Sequence, residues 1–101
     1  MAQDLQVTFH GLRRSERIEA AIASKLEGLR KFNPKLGACR VAVTQEGHQV
    51  NGLFTVKVAL EASGQDVVAS KTDKDPKVAI GQVFDTLKRS VDDLADKVKG
   101  I

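Results

Sequence analysis

The 101-residue sequence has no tryptophan, no tyrosine, a single cysteine and two prolines, and no apolar run nears the ~18 residues of a membrane helix. One cysteine excludes an internal disulfide. The four phenylalanines, Phe9, Phe32, Phe54 and Phe84, read as core residues, so the chain lacks the exposed rings on which readers of single-stranded RNA stack bases. His10 and His48 stand apart, without Cys, His or acidic partners at metal-ligand spacing. Asp92 and Asp93 are adjacent and project differently from a helix, which argues against a carboxylate dyad. Cys39 falls on the apolar phase of a strand pattern and reads as a small core residue, not a nucleophile. No glycine-rich phosphate loop occurs. The expectation is a non-enzyme with no metal, cofactor or small-molecule substrate. The start, MAQDLQVTF, lacks the basic, apolar, small-residue order of a secretion signal, so a cytoplasmic location and no membrane partner are expected.

What is present suits one domain over residues 1–101, large enough for a two-layer core. Hydrophobic content of 42% and charged content of 29% are those of a globular protein. Sixteen Lys and Arg against 13 Asp and Glu give a net charge of +3, which favours a polyanionic partner.

Alternation of Leu5, Val7 and Phe9 predicts a half-buried strand over 5–9, ended by Gly11. From Ser15 as N-cap, Ile18, Ile22, Leu26 and Leu29 recur at helical spacing until Asn33-Pro34. Strands follow over 38–45, with Cys39, Val41 and Val43 on one face, and over 53–61, with Phe54, Val56, Val58 and Leu60 on one face. EGHQVNG between them reads as a hairpin loop. A further strand around DVVASK has an open phase, because Val67 and Val68 are adjacent. The last helix has Asp75 as N-cap and Pro76 at its first position, and Ile80, Val83, Phe84, Leu87, Val91, Leu94 and Val98 carry it to about Lys99. The fold expected is α+β, in the order β-α-β-β-β-α: a four-stranded mixed sheet with both helices on one face and a right-handed first crossover. Arg40, Thr44, Thr55, Lys57 and Glu61 would occupy the open face.

This order, with the opening LQVTFHGL, a first helix SERIEAAIASKLEGLRKF containing Lys25-Leu26, and a last helix DPKVAIGQVFDTLKRSVDDL, resembles the ribosome hibernation-promoting factor family, also described as ribosome-associated inhibitor A or sigma-54 modulation proteins. The resemblance covers nearly the whole chain. It implies a fold similar to double-stranded-RNA-binding domains that docks on the small ribosomal subunit and rRNA, occupies the mRNA and tRNA channel, and preserves idle ribosomes under stress. It carries Lys25, Lys88 and Arg89 over as RNA contacts. Departures from the family pattern are Pro76 and Lys77, where many relatives have an aromatic-containing segment, Gly81 after Ala-Ile, and Asp92 and Asp93 in a usually basic region. Longer members add a C-terminal domain that dimerises ribosomes, and the end at Ile101 gives the expectation that it is absent.

Charge geometry extends this set. On the first helix Glu16, Glu19 and Glu27 take one flank, and Arg17, Lys25 and Lys31 the other, with Arg14 nearer the helix start. Ala21, Ser24 and Gly28 lie among the basic residues and would let a phosphate backbone approach. The alternative is a solvated surface with Glu27 paired to Lys31. On the last helix Lys77, Lys88 and Lys99, 11 residues apart, line one flank, while Asp85, Asp92 and Asp96 form either a neighbouring surface or a salt-bridge lattice with Arg89 and the lysines. GLRRSER sets arginines against the positive end of a helix dipole, which a phosphate shared with the exposed amides would offset and which Glu16 and Glu19 would equally offset. Two functions stay open: a translation inhibitor bound to the small subunit, and a protein-protein regulatory module on the same fold.

Overall fold

Alternating apolar residues make the first strand, β1 (Leu5–His10), and Gly11 ends it with a positive φ of 82°. A Cβ built at Gly11 would stand 2.5 Å from the Gln45 carbonyl oxygen, so both the backbone conformation and the close approach require glycine here. The computed structural model describes residues 5–33, 36–46, 52–62 and 64–99, with side chains at all of these except 46 and 94–99. Ser15 caps α1 (Glu16–Phe32), its hydroxyl accepting from the Ile18 N–H at 3.3 Å. Asn33 closes the helix by donating its side-chain amide to the Leu29 carbonyl.

Three strands follow: β2 (Leu36–Glu46), β3 (Leu53–Ala62) and β4 (Gln65–Asp73). The sheet order is β1-β2-β3-β4, with β1 parallel to β2 and the other pairs antiparallel. The loop expected at EGHQVNG, with His48, lies outside the described residues apart from its ends. Asp75 caps α2 (Pro76–Lys99), its carboxylate accepting from the Lys77 N–H at 2.9 Å and its carbonyl from the Val78 and Ala79 N–H groups. Pro76 at the first helical position has no N–H to leave unpaired.

The β-α-β-β-β-α order and mixed sheet expected from the sequence are therefore present, and both helices bury the described part of their apolar stripes on one face, the side chains of Leu94 and Val98 lying outside the described set. Ile18, Ile22, Leu26 and Leu29 of α1 and Ile80, Val83, Phe84 and Leu87 of α2 join Val41, Val43, Val56, Val58 and Leu60 in one core. Cross-strand register places Val41 opposite Val58 and Val43 opposite Val56, so neighbouring strands present the same phase to the helices. Register also settles β4. Val67 lies opposite Leu60 and Ala69 opposite Val58, which turns Val68 to the open face with 55% of its surface exposed.

Two core assignments are corrected. Phe54 is half-buried, because it sits near the start of β3 opposite Gln45 and Asp73. Phe32 is 78% exposed. It follows Lys25 by seven residues, two helical turns, and so shares the flank of Lys25 and not the centre of the apolar stripe.

Cys39 is fully buried, and burial pushes its thiol up to about 11 while nearby Arg30 pulls weakly the other way. The buried thiol disfavours ionisation, so its contribution to stability is complete below the ordinary value of 9.0 and is lost as pH rises towards 11. At pH 8 native Cys39 should react with a colourimetric thiol reagent no faster than the protein unfolds, and at full speed in denaturant. Rapid labelling of the native protein would contradict the burial.

Candidate nucleic-acid interface

All seven cations singled out from the sequence, Arg14, Arg17, Lys25, Lys31, Lys77, Lys88 and Arg89, are exposed, but the fold does not gather them into one patch. Arg14 is bound within the protein, its Nε donating to a Glu19 carboxylate oxygen at 2.9 Å, an exposed pair that raises the guanidinium pKa. Glu19 lies on the acidic flank of α1, roughly 120° around the helix from Lys25, so this contact draws Arg14 away from the basic flank. Glu19, then, supplies a local partner for Arg14, one of the three arginines of GLRRSER.

Arg17, Lys25 and Lys31 remain on the other flank, spread over about 21 Å of helix and interleaved with Ala21, Ser24 and Gly28. Among the described residues Arg14–Glu19 is the one ion pair, so the Glu27–Lys31 pair does not form. Of the two alternatives for α2, the salt-bridge lattice does not form among the described residues, where Lys88 and Arg89 are exposed and make no ion pair. The side chains of Asp96 and Lys99 lie outside the described set.

Packing of α1 against α2 creates a groove of about 200 Å³ lined by Lys25, Gly28, Leu29 and Phe32 of α1 and Phe84, Asp85 and Lys88 of α2. Two lysines 63 residues apart in sequence thus meet at one depression with an apolar floor. Gly28 has no side chain to fill it, and a Cβ built there would meet nothing within 4 Å. A second groove, about 280 Å³, lies where α2 meets the β4 edge and brings Arg89 beside Lys71, Gln82, Asp85 and Thr86. Lys77 is exposed at the first turn of α2, its N–H bound to the Asp75 cap.

Sequence reasoning missed Phe32 and Lys71. The seven-residue spacing from Lys25 was the signal for Phe32. Lys71 continues the inward phase of Val67 and Ala69, and its exposure shows that the core ends there.

The open sheet face carries a separate basic surface, where Arg40 and Lys57 flank Gln6, Thr8, Ala42 and Ala59 in a depression of about 290 Å³. Thr55 and Thr72 share a 3.0 Å hydrogen bond across strands on the same face. Among the described residues no group of three or more His, Cys, Asp or Glu is placed to hold a metal ion, and no helix is long and apolar enough to cross a membrane.

No curated protein matches the chain. Among solved structures, a ribosomal subunit interface protein from Coxiella burnetii is similar with a TM-score of 0.78 at 12% identity, covering 90% of this chain and 96% of that one. The N-terminal domain of Thermus thermophilus Protein Y is similar with a TM-score of 0.74 at 20% identity, covering 85% and 91%. At these identities the likenesses concern the fold. The family model for sigma 54 modulation protein / S30EA ribosomal protein matches residues 5–99, which span every strand and helix described above, and the chain belongs to that family.

Proposed function

We propose that the chain binds the small ribosomal subunit through rRNA phosphates, covers sites used by mRNA and tRNA, and so holds idle ribosomes out of translation in the cytoplasm, by steric occupancy and not by catalysis. The observation that carries this reading is the meeting of Lys25 and Lys88 at one groove, beside an α1 flank whose small residues admit a backbone. Family membership supplies the context of the ribosome. The contact set comprises Arg17, Lys25 and Lys31 from α1 and Lys77, Lys88 and Arg89 from α2, with Arg14 contributing only where a phosphate displaces Glu19.

Exposed Asp85, Asp92 and Asp93 on α2 favour the second reading, a protein-protein module with little rRNA affinity. Salt dependence separates the two. Released counterions make affinity fall with salt, so binding to purified small subunits should show a log-log slope of roughly −3 to −5. A flat salt response with intact binding would reject the phosphate reading. Because A-form helices hide their informative groove, sequence preference among fully paired RNAs should be slight.

A further inference from the structure

A single exposed apolar side chain is ordinary on a protein surface. Phe32 differs in its setting. Its ring, 78% exposed at the last residue of α1, lines the same groove as Lys25 and Lys88, together with the apolar side chains of Leu29 and Phe84. Lys25 and Phe32 lie two turns apart on one flank, about 10 Å along the axis. An aromatic face next to ammonium groups matches the flat base and charged phosphate of a nucleotide. The groove volume of about 200 Å³ is below the ~300 Å³ at which sites for separate small ligands begin, which suits one base of a larger molecule. Asp85 repels a phosphate at this point but accepts hydrogen bonds from the amino and imino groups of a base edge. A fully paired duplex keeps its bases stacked inside and offers Phe32 none.

We propose that Phe32 is a stacking platform for one unpaired RNA base, with Asp85 at the base edge and Lys25 and Lys88 on the flanking phosphates. This inference rests on the rRNA-binding reading and adds to it a preference for a bulged or looped nucleotide over a continuous duplex.

Two synthetic RNA hairpins, each closed by the same non-nucleotide linker in place of a loop and identical except for one unpaired purine, test it. Phe32→Trp introduces the chain's single tryptophan, and its fluorescence should be quenched by the bulged hairpin and not by the fully paired one. Phe32→Ala should weaken binding of the bulged hairpin on the order of 5- to 150-fold, leave the paired hairpin unaffected, and leave the salt slope unchanged because no phosphate contact is removed. Since the ring is exposed, both variants should melt with the wild type, which checks that the fold is retained. If both hairpins bind the wild type with steep salt dependence and Phe32→Ala changes neither, the stacking inference fails while the phosphate reading stands. Equal weakening of both hairpins would also overturn it. Loss of small-subunit binding in Phe32→Ala with no effect on either hairpin would assign the ring to a ribosomal protein and overturn it too. Absence of wild-type binding to both hairpins and to small subunits would remove the inference and the reading together.

Discussion

Leu60→Ala should destabilise the protein by about 3–5 kcal/mol, against a total stability of about 5–15 kcal/mol for a domain of this size. Leu60 has no exposed surface, sits opposite Cys39 on one side and Val67 on the other, and lies beneath the helices. Truncation leaves a cavity that flanking strands, held by their ladders, close only in part. A fall in melting temperature of roughly 15–25 °C should follow. Lys57→Ala, three residues away on the open face, should change stability by no more than about 0.5 kcal/mol. Equal shifts from the two changes would contradict the assignment of the buried face, and calorimetry reads both.

Much of this core was legible in the chain because its strands and helices follow one period each. Val41, Val43, Val56 and Val58 alternate without interruption, and Ile18, Ile22, Leu26 and Leu29 keep a clean helical stripe. Legibility stopped where two neighbours competed or where an element ended. Val67 and Val68 have the same propensity, and only pairing with Leu60 and Val68's turn to the open face distinguish them. Phe32 has the composition of a core residue, yet helix geometry puts it on the flank of Lys25, where α1 ends. Hydrophobicity identifies what prefers burial; position along an element decides what receives it.

Neutralising the groove, with Lys25→Gln and Lys88→Gln together, should lower small-subunit affinity on the order of tenfold or more and make the salt slope shallower by about 1.5–2 units. Both side chains are exposed and without ion-pair partners among the described residues, so the double variant should keep the stability of the parent. An unchanged slope would leave the groove without phosphate contacts.

The basic flank of α1 could be read from a helical projection, since Arg17, Lys25 and Lys31 need only the 3.6-residue period to share a side. That Lys25 meets Lys88 could not. Their juxtaposition depends on how α1 packs against α2 across 63 residues of chain, and no local pattern encodes it. The same holds for Lys71 beside Arg89, which requires β4 to lie at the edge under α2. Local rules also left open whether GLRRSER served a ligand or itself, and the 2.9 Å Arg14–Glu19 contact shows an internal partner in place.

The most direct measurement is sedimentation with purified small ribosomal subunits at near-physiological salt, comparing the wild type, Lys25→Gln with Lys88→Gln on the helix side, and Arg40→Gln with Lys57→Gln on the open sheet face. Both double changes remove two charges, so net charge is matched and only the surface differs. The wild type and the sheet-face variant should co-migrate with the subunit, while the helix-side variant is depleted from that fraction. Undiminished co-migration of the helix-side variant, with loss of the sheet-face variant, would place the interface on the opposite side of the protein and contradict the central claim.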